Sequence, residues 1–220
     1  MAGVMKPRAL GPGSTIAIVA PSGPPKADCL QKGLRFLKQR GYNLKVFPQV
    51  GKRFGYLAGD DKDRATALTA AFAEKKIDGI FCARGGYGSL RILRHLDFDI
   101  IKANPKVLVG YSDLTAILLA IHKKCGLVTF HGPMPGVEFG RRLRPFTVHH
   151  FFKALESPKP LGLIARPARY RYVTINPGWV SGEIIGGNLS LMTKLVGTGY
   201  LPSFKNKIVF MEDTEEEPYR

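Results

Sequence analysis

The stretch from Val107 to Ala120, VLVGYSDLTAILLA, changes its hydrophobic period at a single glycine. Before Gly110 the residues run apolar without alternation, the pattern of a strand buried on both faces in a parallel sheet. After it, Leu114, Ile117, Leu118 and Ile121 recur at i, i+3, i+4 and i+7, one stripe of an amphipathic helix that runs through Lys123 and Lys124 to Gly126. At the turn between them Ser112 would stand above the carboxyl end of the sheet, near the free N–H groups of the helix, where a developing oxyanion is stabilised. G-Y-S-D-L has the order of a nucleophile elbow but lacks the second glycine of G-x-S-x-G. The competing reading is that Ser112 or Asp113 only caps the helix, since both are favoured N-cap residues.

The same switch of period recurs along the chain. Thr15 to Ala20 reads as a first strand ending in APSGPP, and Leu30, Leu34 and Leu37 mark a helix that Gly41 ends. Leu44 to Phe47 is a second strand, and VGKRFGYLAGD an exposed loop. A helix begun by Asp60 or Asp61 follows, with Leu68, Ala71 and Phe72 on one face. Ile77 to Ala83 is a third strand, then come RGGYGS, a helix with Leu90 and Leu93 inward, the elbow, and a fifth strand in LVTFHGP. Strands alternating with helices predict an α/β fold, a wound and mostly parallel sheet over residues 1–157. Beyond Pro158 the pattern breaks into short strand-like pieces such as GLIARPARYRYVTI, a helix at Asn188 to Val196 and a last strand at Lys207 to Met211. Residues 158–220 are therefore expected to form a smaller C-terminal domain, incomplete where it stops at EDTEEEPYR.

With 45% apolar residues among 220, the chain can build a real core. Its longest apolar runs, TIAIVA and AILLAI, fall far short of the ~20 residues that cross a bilayer. Gly11, Pro12 and Gly13 interrupt the opening segment, so no secretory leader is read there and a cytoplasmic location is expected. Cys29, Cys82 and Cys125 are odd in number and widely spaced, without C-x-x-C or an adjacent histidine, and predict reduced thiols and no metal. A net charge of +16 raises nucleic acid as a partner, and ARPARYRY interleaves arginine with aromatics that could stack on bases. The charge is nonetheless spread over helix ends and loops without a dense block, which favours a solvated basic surface that draws an acidic substrate.

RGGYGS is neither G-x-G-x-x-G nor a P-loop, so nucleotide binding is weakly supported. Its N–H groups, beside a serine on the neighbouring strand, suit an oxyanion hole, with Gly86 facing Ser112. A serine nucleophile also needs a base. His95, His122, His149 and His150 read as surface or half-buried residues, whereas His131 closes the fifth strand at the carboxyl edge and could line a pocket. Glu212, at the end of IVFM, is the carboxylate best placed to orient a histidine; the alternative is a strand-end acid in solvent.

ARGGYG at Ala83 to Gly88, GYSDLTAILLA at Gly110 to Ala120, FHGPM at Phe130 to Met134, GGNLSLM at Gly186 to Met192 and MEDTEEEPYR at Met211 to Arg220 follow in order. Together they resemble the LD-carboxypeptidases, the muramoyltetrapeptide carboxypeptidase group of serine peptidases. The resemblance implies a cytoplasmic, cofactor-free hydrolase of cell-wall recycling that removes the terminal D-alanine of murein tetrapeptide by cleaving an L–D bond. It implies an active site between two domains, with Ser112 as nucleophile and Glu212 as the acid of a Ser–His–Glu triad. The N–H groups of Gly86 and Asp113 would form the oxyanion hole, and Asn188 would support the pocket. His131 would be a pocket residue and not the base. The family's histidine is expected beyond Arg220, so these residues alone are expected to hydrolyse tetrapeptide barely or not at all. A cation must meet the substrate carboxylate, and Arg84 is the candidate. Two alternatives stay open: a hydrolase of peptide-nucleotide antibiotics, as in the immunity branch of the family, and a non-catalytic module that binds murein peptide or nucleic acid. A small peptide is the expected partner, and apolar surface on an incomplete second domain would promote association, as in a homodimer.

Overall fold

The computed structural model describes residues 4–141, 143–164, 167, 171–217 and 219. Strands β1 (Thr15–Val19), β2 (Asn43–Val46), β3 (Gly79–Cys82), β4 (Val107–Gly110) and β5 (Phe130–His131) form one parallel sheet in the order β2-β1-β3-β4-β5. β3 and β4 are buried at every residue, which is why their sequences are unbroken apolar runs. Along β1 the side chains alternate between two cores. Ala17 and Val19 join Leu68 and Phe72 of α2 (Asp61–Ala73) and Ile117 and Ile121 of α5 (Thr115–Cys125) on one face. Ile16 and Ile18 join Leu34 and Leu37 of α1 (Ala27–Gln39) and Phe152 and Leu155 of α6 (Pro145–Glu156) on the other. Two short helices, α3 (Ser89–Ile92) and α4 (Phe98–Ala103), lie between β3 and β4 in the chain.

Local chemistry sets the helix boundaries. The Asp60 carboxylate accepts the Asp63 N–H at 2.7 Å and caps α2, and the Asp97 carboxylate does the same for α4 through Ile100. α5 ends at Gly126, whose φ of +72° lets its N–H return to the His122 carbonyl at 2.9 Å. At Gly33 on α1, a Cβ would sit 2.0 Å from the Pro135 carbonyl oxygen, so only glycine admits the loop after β5. That loop carries the family-like HGP sequence onto the carboxyl edge of the sheet.

The strand order places β2 and β3 on opposite sides of β1. The connections leaving β1 and β3 therefore part, and the crevice between their carboxyl ends is where open α/β sheets bind ligands. The elbow lies one strand further on.

The second unit is smaller. β6 (Glu183–Asn188) and β7 (Lys207–Glu212) pair in parallel around α7 (Leu189–Lys194), with Asn188 opposite Glu212. A Cβ on Gly187 would lie 2.6 Å from Thr115 Cγ2, so this glycine lets β6 close on the first turn of α5. The Asn188 N–H donates there to Thr115 Oγ1 at 3.1 Å.

Three readings are adjusted. β5 is two residues long, because before it Val128 gives its N–H to Met5, and after the last ladder bond, from Gly132 to Gly110, Pro133 has none to give. The expected helix from Asn188 starts at Leu189 with Asn188 as its cap, and ends at Lys194. No strand occurs among the described residues from Leu161 to Gly182, where Val173, Ile175 and Trp179 stand exposed without a neighbouring edge to pair with. Within ARPARYRY, residues 165, 166 and 168–170 lie outside the described residues. No helix among the described residues is long and apolar enough to cross a membrane.

Candidate active site

β4 leads into the site with its last residue, Gly110, where a Cβ would crowd Leu114 at 3.0 Å. Tyr111 is extended, and Ser112 then takes φ +61°, a left-handed conformation that costs an L-residue roughly 1–2 kcal/mol. A 3₁₀ turn from Ser112 to Leu114 runs straight into α5. Neither Ser112 nor Asp113 caps this helix. Ser112 is half-buried, and among the described residues its hydroxyl has no hydrogen-bond partner. A strained, unpartnered hydroxyl at the head of a helix has no structural task that glycine would not perform better.

The RGGYGS loop after β3 lies against it. A Cβ added to Gly85 would sit 3.3 Å from Ser112 Cβ and 3.4 Å from its Oγ, so Gly85 is the residue in direct contact. Gly86 follows at φ +122° and faces Gly23 and the Arg84 guanidinium. The loop is held from below by the buried Asp113 carboxylate. Its Oδ2 accepts the Ser89 N–H at 2.9 Å and lies 2.5 Å from Ser22 Oγ, while the Ser89 hydroxyl donates to the Asp113 carbonyl. Asp113 thus ties the turns after β1, β3 and β4 together through its side chain and leaves its backbone N–H in the first turn of the elbow.

A second fastening goes beyond the sequence expectations. Arg64 of α2, fully buried, donates to the Pro21 carbonyl at 2.7 Å and the Gly88 carbonyl at 2.9 Å, and pairs with Asp61. Burial lowers its pKa, with Asp61 opposing. A signal for it exists, since Arg64 shares the i, i+4, i+7 stripe of Leu68 and Ala71. Ser22 carries only the weaker signal of a polar residue just past β1.

Glu212 ends β7 beside Asn188. Its Oε1 is buried and lacks a hydrogen-bond partner among the described residues. Burial and the adjacent Asp213 raise its pKa above the ordinary 4.5, with the Asn188 amide opposing. His131 Nε2 is 3.7 Å from that oxygen, too far for a hydrogen bond. The His131 ring meets Tyr111 and Phe210 edge-on, burial lowers its pKa, and it lines a cavity of about 810 Å³ with Leu118 and Ile185. Asn188 is buried, accepting the Leu191 N–H and donating to Asp213, so its side chain is committed to holding α7 against β7. The remaining histidines lie elsewhere: His122 against the Leu127 carbonyl, His95 beside Arg94, and His149 and His150 on α6.

Because the folded state holds the Glu212 proton more tightly than the unfolded chain, this group favours folding below pH 4.5 and loses that contribution as pH rises through its raised value. Glu212→Gln is therefore expected to be more stable than the parent at pH 7 and no more stable at pH 4, read from urea midpoints. Equal gains at both pH values would contradict this.

Comparison with known proteins places these features in company. Residues 16–132 match the LD-carboxypeptidase N-terminal domain and residues 181–220 the LD-carboxypeptidase C-terminal domain. The chain is 37% identical to a probable murein peptide carboxypeptidase of Bacillus subtilis (strain 168), over 98% of this chain and 67% of that protein. Its fold is similar to that of a muramoyltetrapeptide carboxypeptidase from Oxalobacter formigenes, with TM-score 0.82 and 34% identity, covering 94% of this chain and 68% of the other. It is similar too to the microcin C7 self-immunity protein MccF in complex with aspartyl sulfamoyl adenosine, with TM-score 0.86 and 30% identity over 96% of this chain and 72% of that one. The chain thus spans about two thirds of the length of these relatives.

Proposed function

The chain belongs to the LD-carboxypeptidase family, and from that membership we propose that it is a serine-type peptidase that removes the C-terminal D-alanine of murein tetrapeptide in cell-wall recycling. The observation that carries this reading is Ser112: a hydroxyl held at φ +61°, without a hydrogen-bond partner among the described residues, against the glycine loop after β3.

In this reading Ser112 Oγ attacks the carbonyl before the D-residue. The backbone N–H groups of Asp113 and Gly86 receive the oxyanion, a contribution worth about 3–4 kcal/mol per donor in other acyl-transfer enzymes. The C–N bond breaks, the leaving amine takes the proton that the base drew from Ser112, and water then hydrolyses the ester. The base is a histidine whose N–H is accepted by Glu212 Oε1, the oxygen that is unpaired among the described residues. His131 does not fit this role, since no hydrogen bond joins it to Glu212 or to Ser112. His131 and Asn188 shape the pocket and its second wall.

The test is D-alanine release from murein tetrapeptide, with and without added imidazole as an external base. Slow release that rises with imidazole and vanishes in Ser112→Ala is expected. Release unchanged in Ser112→Ala would refute the serine mechanism. Faster cleavage of an aminoacyl sulfamoyl nucleoside than of tetrapeptide would favour the second reading, an immunity hydrolase, which the likeness to MccF supports.

A further inference from the structure

We propose that Arg84, walled by Tyr56 and Tyr87, forms the subsite that binds the free α-carboxylate of the departing C-terminal residue; the assignment rests on the peptidase reading of Ser112. An exopeptidase must recognise a chain end, and a free carboxylate is distinguished from a continuing peptide chiefly by its charge. Arginine meets it best, because its planar fork donates two parallel hydrogen bonds to the two oxygens.

Arg84 stands where such a group is needed. It is the first residue of the loop whose next member, Gly85, touches Ser112 and whose third, Gly86, supplies the proposed oxyanion N–H. Its Nη1 would lie 3.6 Å from a Cβ on Gly86 and 2.8 Å from one on Gly23, which places the guanidinium in the crevice between the turns after β1 and β3. That is the point where the strand order reverses. One donor is spent on the Pro24 carbonyl at 3.3 Å, and no carboxylate among the described residues pairs with the rest. The nearby cations differ in this respect. Arg91 is paired with Asp61 and Lys52 with Asp63. Arg141 stands instead near Tyr111, with its backbone N–H on the Glu138 carbonyl.

A cavity of about 380 Å³ opens against this arginine, lined by Tyr56, Arg84, Gly86 and Tyr87. That volume is at the lower end of the roughly 300–1,000 Å³ typical of small-molecule sites, which suits a single small amino acid. The two tyrosine rings meet edge-to-face at 5.5 Å, with 62% and 55% of their surfaces exposed. Two large aromatic groups left open to water at the rim of a catalytic loop form an apolar wall opposite the charge, and they limit the side chain that fits beside the carboxylate.

The experiment is calorimetric titration of the chain carrying Ser112→Ala with murein tetrapeptide and with its C-terminal carboxamide. The free acid is expected to bind on the order of tenfold tighter or more, as a charge-assisted pair requires. Adding Arg84→Met should bring the ratio close to one, Arg84→Lys should restore part of it, and Arg141→Met, which removes the same charge, should leave it intact. A ratio that survives Arg84→Met, or is lost equally in Arg141→Met, overturns the subsite. Equal binding of acid and amide by the chain with Arg84 intact overturns the subsite alone. Binding of neither peptide by the folded chain overturns the murein-peptide reading as well.

Discussion

Replacing Ser112 by glycine is expected to stabilise the protein while abolishing acyl transfer. The residue sits at φ +61°, where a side chain costs roughly 1–2 kcal/mol and glycine costs nothing. The extra freedom glycine brings to the unfolded chain takes back about 0.4–1 kcal/mol. The net gain is then on the order of 0.5–1 kcal/mol, visible as a shift in the urea midpoint at unchanged slope. Ser112→Ala keeps the Cβ and the strain, so it should change stability little. Both variants should lose the slow, imidazole-stimulated release of D-alanine down to background, since triad members act as a unit and nothing replaces the nucleophile. Such a trade of stability for chemistry identifies a functional position. A glycine variant less stable than the alanine variant would mean that the strain does not exist.

The second large effect lies outside the chemistry. Arg64→Met is expected to destabilise the fold by about 2 kcal/mol, since the Pro21 carbonyl loses its donor at roughly 1–3 kcal/mol while the Gly88 carbonyl keeps the Arg91 N–H. Methionine nearly fills the volume, so a cavity contributes little. The Asp61 carboxylate retains Arg91 and is not stranded. Arg91→Met removes an exposed pair from the same carboxylate and should cost no more than about 1 kcal/mol. The contrast between the two arginines separates a buried fastening from a surface ion pair. Because Arg64 holds the turns after β1 and β3 in register, its loss should also cut acyl transfer by about 100-fold even where the protein remains folded, the penalty of a small misplacement of reacting groups. Denaturation curves and turnover measured on the same preparations check both numbers.

Much of the sheet is legible because buried parallel strands and the helices between them leave opposite periods in sequence. β3 and β4 are apolar throughout, and α5 keeps one stripe from Leu114 to Ile121. α6 does not stand out as a helix, because its aromatic and histidine residues blur the polar face. The segment after Pro158 misleads for the opposite reason. Its β-branched residues have strand propensity, but among the described residues no edge offers them hydrogen bonds, and propensity alone does not make a strand.

At the site, spacing along the chain indicates which turns share the carboxyl edge, since that follows from parallel topology. It cannot indicate which atoms meet. Gly85, not Gly86, abuts Ser112, a difference of one residue within a flexible triplet. Asp113 looks like a helix cap and instead binds the turn after β3, because a buried carboxylate goes to whichever N–H groups the tertiary fold presents. Asn188, read as the first residue of its helix, is the cap of that helix. The unpaired Glu212 oxygen has no sequence signature at all, being a property of packing.

The central claim is that Ser112 forms the covalent bond. Acid-quenching the protein during reaction with murein tetrapeptide, then digesting it and weighing the fragments, addresses this directly. A fragment containing Ser112 should gain the mass of the tripeptidyl acyl group, and the gain should disappear in Ser112→Ala. Undiminished D-alanine release by Ser112→Ala, or an acyl group on any other residue, would contradict it.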